Sequence, residues 1–144
     1  MLEKMLGLIR TQGFCALATA DATGTPHCSL MSYAWADQGR VLWLLTPAAT
    51  RKFANLAANP AVSILIDTRA APAAGDPVAA LTIGGRARVV PAGPERERAL
   101  AALLARHPGL EPIATRPDAQ VVAVAAKDLQ LLEGPSQAHH VRLD

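Results

Sequence analysis

Aromatic side chains are scarce in this chain, at 3% of 144 residues, although 51% of the residues are apolar. Alanine supplies much of that apolar content. Cysteine is scarcer still, with only Cys15 and Cys28. No CxxC pair occurs, and His27, next to Cys28, falls on the opposite face of its strand, so the sequence predicts no metal site. The two cysteines fall on what read as neighbouring strands joined by the turn DATGTP. Simple pairing about that turn sets Cys28 opposite Thr19 rather than Cys15. No disulfide is therefore expected, and both thiols are predicted to be buried and inert. An excess of one charge is also missing: the net charge is +2, and lysine and arginine are scattered singly or in pairs. That speaks against an electrostatic nucleic-acid surface. No apolar run reaches the about 18 residues of a membrane-spanning helix. The opening MLEKMLGLIRTQ carries early charges and no small-residue cleavage site, so a signal peptide is not expected and a cytoplasmic protein is.

What is present is a set of short periodic segments sized for one domain over residues 1–144. Leu2, Met5, Leu6 and Ile9 recur at helical spacing, and Gly13 ends that helix. Phe14 to Ala20 reads as a strand, Asp21 to Pro26 as a turn, and His27 to Trp35 as a second strand. Asp37-Gln38-Gly39 leads into a third strand, Val41 to Thr46. A short helix from Thr50 to Asn59 follows, with Phe53, Leu56 and Ala57 as its buried stripe. Asn59-Pro60 stops it, because the residue before proline is pushed out of helical geometry. Ala61 to Asp67 is an apolar strand predicted to be buried on both faces. Val78 to Val90 is long enough for a bent strand, with a bulge or corner at Gly84-Gly85. Pro94 opens a helix through His107, with Leu100, Leu103 and Leu104 inward, and Pro108-Gly109 closes it. Val121 to Ala125 and Leu129 to Leu132 read as two last strands before a polar tail holding His139 and His140. Tight hairpins early in this order predict a mainly β, α+β fold. Its expected form is a small antiparallel barrel with peripheral helices, not a doubly wound sheet.

The segment TPAATRKFANLAANPAVSILID, residues 46–67, carries the most chemical information. Thr50 stands at the helix N-cap and is followed at once by Arg51 and Lys52. Cations there oppose the helix dipole, whose N-terminal end favours anions by about 0.3–1 kcal/mol. The placement makes chemical sense if an anion sits at the helix start. It would take hydrogen bonds from backbone N–H groups, Thr50 and both cations.

These residues resemble the flavin-binding split-barrel family whose best-known member is pyridoxamine 5'-phosphate oxidase. The likeness rests on LATADATGTPHCSLMSYAW, on LLTPAATRKFANLAANPAVSILID, on LTIGGRARVV and on the helix ERERALAALLARHPG. Together they span roughly residues 5–110, and the second is the most specific. The resemblance implies a split β-barrel homodimer with FMN at the interface of the two copies. Carried over residue by residue, Arg51 and Lys52 match the phosphate-binding pair, and Thr50 matches the hydroxyl residue before it. Leu45 and Thr46 match the strand end lining the ribityl and phosphate region. The run His27 to Ser32 matches the strand running along the isoalloxazine, with Ser29, Leu30 and Met31 assigned mostly as backbone contacts. There the chain departs from the oxidase, which has Arg and Lys at the ends of that run.

The oxidase reaction itself is not expected, because the later helix offers Arg106 and His107 but no Tyr. The resemblance implies instead an FMN-dependent oxidoreductase acting on another small-molecule substrate or electron donor, with no acid or base marked in the sequence. Two other readings stay open. One is the haem-binding and haem-degrading branch of the fold, with His139 or His140 as a tail ligand. The other is a non-catalytic flavin sensor. A deazaflavin would present its phosphate to the same clamp as FMN.

Overall fold

A computed structural model describes residues 1–72 and 74–143. Its strands are β1 (Phe14–Ala20), β2 (Pro26–Ser32), β3 (Ala34–Ala36), β4 (Val41–Pro47), β5 (Ala61–Asp67), β6 (Ala79–Val90), β7 (Ala119–Glu133) and β8 (Gln137–Arg142). The helices are α1 (Leu2–Thr11), α2 (Arg51–Ala58), α3 (Pro94–Arg106) and the single turn α4 (Glu111–Ala114). The strands form one antiparallel sheet in the order β2-β1-β5-β6-β7-β4-β3, with β8 beside β7. The sheet curls until β2 approaches β4, giving the expected split β-barrel with helices around it. Among the described residues no helix is long and apolar enough to cross a membrane.

β7 organises the sheet. One of its edges pairs with β6 along most of its length, while the other is shared by β4 over Ala119–Ala125 and by β8 over Asp128–Glu133. The sequence reads this stretch as two strands because Ala126-Lys127-Asp128 interrupts the apolar pattern. The interruption is a bulge: Gly85 pairs with Ala126 and Gly84 with Asp128, leaving Lys127 as the extra residue. The irregularity expected at Gly84-Gly85 is therefore in place, with its extra residue on the facing strand. The polar tail is likewise strand β8, for its backbone groups pair with β7 whatever its side chains are.

Aliphatic side chains from both faces of the curl fill the interior. Leu17, Ile64, Leu81, Ile83, Val122 and Val124 meet Met5, Leu6 and Ile9 of α1 inside the barrel. A second cluster, with Trp43, Leu45, Val121 and Ala123, is covered from outside by Ala99 and Leu103 of α3. Leu100 and Leu104 are only partly buried, because Ala99 and Leu103 form the centre of that face. β5 is buried through Val62, Ile64 and Ile66 but exposes Ala61, Ser63 and Leu65, so one face rather than two is covered on this chain.

Tyr33 breaks the predicted second strand in two. Before it, β2 pairs with β1; after it, β3 pairs with β4. Its ring is fully buried, and its hydroxyl donates to Ile9 O at 2.6 Å, a carbonyl near the end of α1 with no donor four residues on in the helix. Burial pushes the Tyr33 hydroxyl pKa up, keeping it protonated and a donor. Its backbone carbonyl accepts from Arg106 at 3.2 Å and lies 3.0 Å from His107 Nε2. Arg106 and His107 thus tie α3 to the β2–β3 break. Tyr33→Phe is expected to cost about 1–3 kcal/mol by leaving Ile9 O unpaired. A lower urea midpoint with an unchanged slope would show it; an unchanged midpoint would remove Tyr33 as the pin.

The β1–β2 hairpin turns through five residues, Asp21 to Thr25, and the Asp21 carboxylate accepts from Thr23 and Thr25. Pro26 is already paired with Ala20, so the register is one residue from that predicted, and Cys28 lies opposite Ala18. Both cysteines are free thiols. Cys15 is buried, and burial, helped by Cys28, pushes its pKa up to about 12. Cys28, on the outward face of β2, is exposed, contrary to expectation.

Candidate functional site

The turn from β4 into α2 is closed by two threonines. Thr50 caps α2 as predicted, accepting from Phe53 N at 3.3 Å. Its hydroxyl lies 3.0 Å from that of Thr46, and both reach Pro47 O, at 3.0 Å from Thr50 and 3.3 Å from Thr46. Thr46 is buried. The hydroxyl protons are thus engaged within the turn, so the threonines shape it rather than offering a free donor to a ligand. Asp118 holds the same turn from the other side. Its carbonyl accepts from Ala48 N at 2.8 Å, and its carboxylate takes the Arg116 guanidinium at 2.8 and 3.2 Å. That guanidinium, helped by the Ala49 N–H, keeps the Asp118 carboxyl below the usual carboxylate range. Within α2, Asn55 is buried and donates to Thr19 Oγ1 at 3.0 Å, pinning the helix to β1. The buried face is therefore Asn55 and Leu56 with Phe53 beside them, while Ala57 of the predicted stripe is exposed.

The two cations follow directly. No acidic residue stands in the first turn of α2. Among the described residues, neither Arg51 nor Lys52 has a carboxylate within ion-pair distance. The start of any helix also leaves its first N–H groups without intrahelical acceptors. Arg51 is exposed, whereas Lys52 is partly buried.

Lys52 lines a cavity of about 180 Å³ together with Leu30, Met31, Ser32, Leu45, Thr46, Pro47, Leu110 and Ile113. It lies where β2, β4 and the α2 start converge, at the split of the barrel. A depression of about 290 Å³ beside Lys4 and Glu133 is larger, so the residues and not the size single this cavity out. Of the residues expected from the sequence, Leu30, Met31, Leu45, Thr46 and Lys52 meet here. Thr50 adjoins through Thr46, while Arg51 and Ser29 are not among the lining residues. β2 is an edge strand with β1 on one side only, so backbone groups on its other side have no strand partner.

Sequence reasoning missed Leu110 and Ile113. They belong to a turn after Pro108-Gly109, read there simply as the end of the preceding helix; their i, i+3 apolar spacing was the available signal. The two tryptophans and the two tail histidines lie elsewhere. Trp43 is a core residue under α3, and its indole N–H reaches Glu95 at 3.4 Å. Trp35 packs against the barrel interior. His139 and His140 stand on β8, 3.7 Å from Glu133 and 3.8 Å from Asp128.

The family profile described as pyridoxamine 5'-phosphate oxidase matches residues 1–133, nearly the whole chain. The chain belongs to this family. Solved structures agree with a pyridoxamine 5'-phosphate oxidase-like fold. A heme binding protein from Mycobacterium smegmatis superposes with a TM-score of 0.85 at 22% identity, over 97% of this chain and 57% of its own. The chain therefore spans little more than half of that protein. A FAD-binding protein from Mesorhizobium loti gives 0.74 at 20% identity, over 89% of this chain and 91% of its own. A putative pyridoxamine 5'-phosphate oxidase from Listeria innocua gives 0.71 at 21% identity, over 92% and 98%. At these identities the likeness is one of fold. A comparison with proteins of curated function finds no match in sequence.

Proposed function

We propose that this family member binds FMN at the split of the barrel and acts as an FMN-dependent oxidoreductase on a small-molecule substrate or electron donor. The observation that carries the reading is the pair Arg51 and Lys52. Among the described residues they have no carboxylate partner at the helix start, and Lys52 forms part of a cavity wall with Leu45 and Thr46. A phosphate dianion answers both cations: the guanidinium gives a planar fork of donors, the ammonium a point charge, and the first N–H groups of α2 complete the cradle. The threonines hold the turn in register for it. Leu30 and Met31 supply apolar surface for a ring, and the unpaired edge of β2 supplies N–H groups toward a flavin's polar edge. FMN, when bound, brings the redox chemistry, while the chain orients it and excludes water.

A cavity of about 180 Å³ is smaller than the about 300–1,000 Å³ of small-molecule sites, so one copy holds only part of the cofactor. A homodimer in which a second copy supplies the other wall meets that need. In support, Phe14, Leu30 and Leu65 are exposed at 59%, 76% and 37% on the outer face next to the cavity. A deazaflavin with a phosphate would use the same clamp. The haem reading has less local support, since no histidine lines the cavity.

The visible spectrum of the purified protein, before and after incubation with FMN or haem, tests the reading. Flavin bands that bleach with a nicotinamide reductant are expected. A Soret band in place of flavin, or a colourless protein that takes up neither cofactor, would overturn it.

A further inference from the structure

We propose a second anion site, separate from the Arg51–Lys52 clamp: a depression of about 200 Å³ lined by Arg86, Arg88 and Lys127 that takes a phosphate monoester. Arg86 and Arg88 stand two apart on β6 and face outward, with Ala87 between them turned into the core. Ala125 lies opposite Arg86 on β7 and, being small, keeps the floor open. Lys127 stands two residues beyond Ala125, on the same outward face of β7 and at the bulge, which places it beside them. The bulge is fixed on both sides, for Ala126 N donates to Arg40 O at 2.9 Å and Lys127 O accepts from Leu143 N at 2.7 Å.

Charge then selects the ligand. Arg88 is held by Glu95 at 2.6 Å, and Trp43 donates to the same carboxylate oxygen at 3.4 Å, which sets the guanidinium in place. Among the described residues, Arg86 and Lys127 have no carboxylate within ion-pair distance. Among the described residues, two cations thus remain without a carboxylate partner around one small-floored depression, the charge complement of a phosphate monoester dianion. The planar forks of two arginines and one ammonium suit its oxygens. A free phosphorylated metabolite presents this group, since the phosphate of FMN is taken by the clamp.

Calorimetric titration of the FMN-loaded protein at low salt with inorganic phosphate and with glycerol 3-phosphate tests the site, the clamp being filled by FMN. Saturable binding is expected, weakened at least tenfold in Arg86→Ala/Lys127→Ala with flavin occupancy unchanged; this assigns the free metabolite. Loss of FMN from that variant would place these cations in the cofactor site itself and overturn a separate one. Both side chains are exposed, and circular dichroism checks that the fold persists; Lys127→Gln alone gives a milder variant. No saturable binding by the wild type, or equal binding by the double variant, overturns the site. If the protein takes up no flavin, the same titration on the Arg51→Ala/Lys52→Ala background reads this site independently of the clamp.

Discussion

Replacing Arg51 and Lys52 together by alanine is expected to weaken FMN binding by about 2–4 kcal/mol, roughly a 30- to 700-fold rise in Kd. Each charge-assisted contact to phosphate is worth about 1.5–3 kcal/mol, discounted for Arg51 because solvent screens an exposed side chain. Lys52 is partly buried in the cavity wall, so Lys52→Ala alone should cost more than Arg51→Ala alone. The sign of the stability change separates binding from folding. Both cations oppose the α2 dipole, an unfavourable placement of about 0.3–1 kcal/mol each without an anion. The flavin-free double variant should therefore melt at or above the wild-type temperature while holding FMN far less well. A variant that melts well below wild type would mean that the pair serves the fold.

The second large effect concerns Gly85. A Cβ there would lie 2.7 Å from Val124 Cγ1 and 3.0 Å from Ala125 O. Val124 is fully buried and Ala125 O is backbone, so neither can give way cheaply. Gly85→Ala is expected to destabilise by about 1–3 kcal/mol through overpacking. For a chain of this size that lowers Tm by roughly 2–10 °C. Gly84 is the instructive neighbour. A Cβ there would come within 2.5 Å of Asp128 Oδ2, but that carboxylate ends a side chain at the surface and can swing aside. Gly84→Ala should cost less than Gly85→Ala. Differential scanning calorimetry on both variants checks the order, and equal melting of Gly85→Ala and wild type would contradict the close approach.

What the sequence made legible follows from which residues speak through local chemistry. Thr50 as cap, Asn59-Pro60 as stop and the apolar run from Ala61 to Asp67 are local signals, and α2 and β5 lie where they point, although only one face of β5 is covered. Lys52, Leu45, Thr46, Leu30 and Met31 converge because the β4–α2 turn and β2 are brought together by the curl of the sheet. The misses are tertiary. β8 is a strand because β7 offers it backbone partners, and QAHHVR itself carries no apolar alternation. Lys127 looks like a break between strands when it is a bulge within one. The two hydroxyls of Thr46 and Thr50 look free in the sequence, yet the turn engages them with each other and with Pro47 O. Leu110 and Ile113 reach the cavity only through a short turn whose direction no pattern specifies.

The most direct measurement of the clamp is a pair of equilibrium titrations of flavin-free wild-type protein, one with FMN and one with riboflavin, which differs by lacking the phosphate. An anion-holding start of α2 predicts FMN tighter by at least thirtyfold, with the preference collapsing in Arg51→Ala/Lys52→Ala. Equal affinity for the two ligands, or a preference that survives the double substitution, would contradict it.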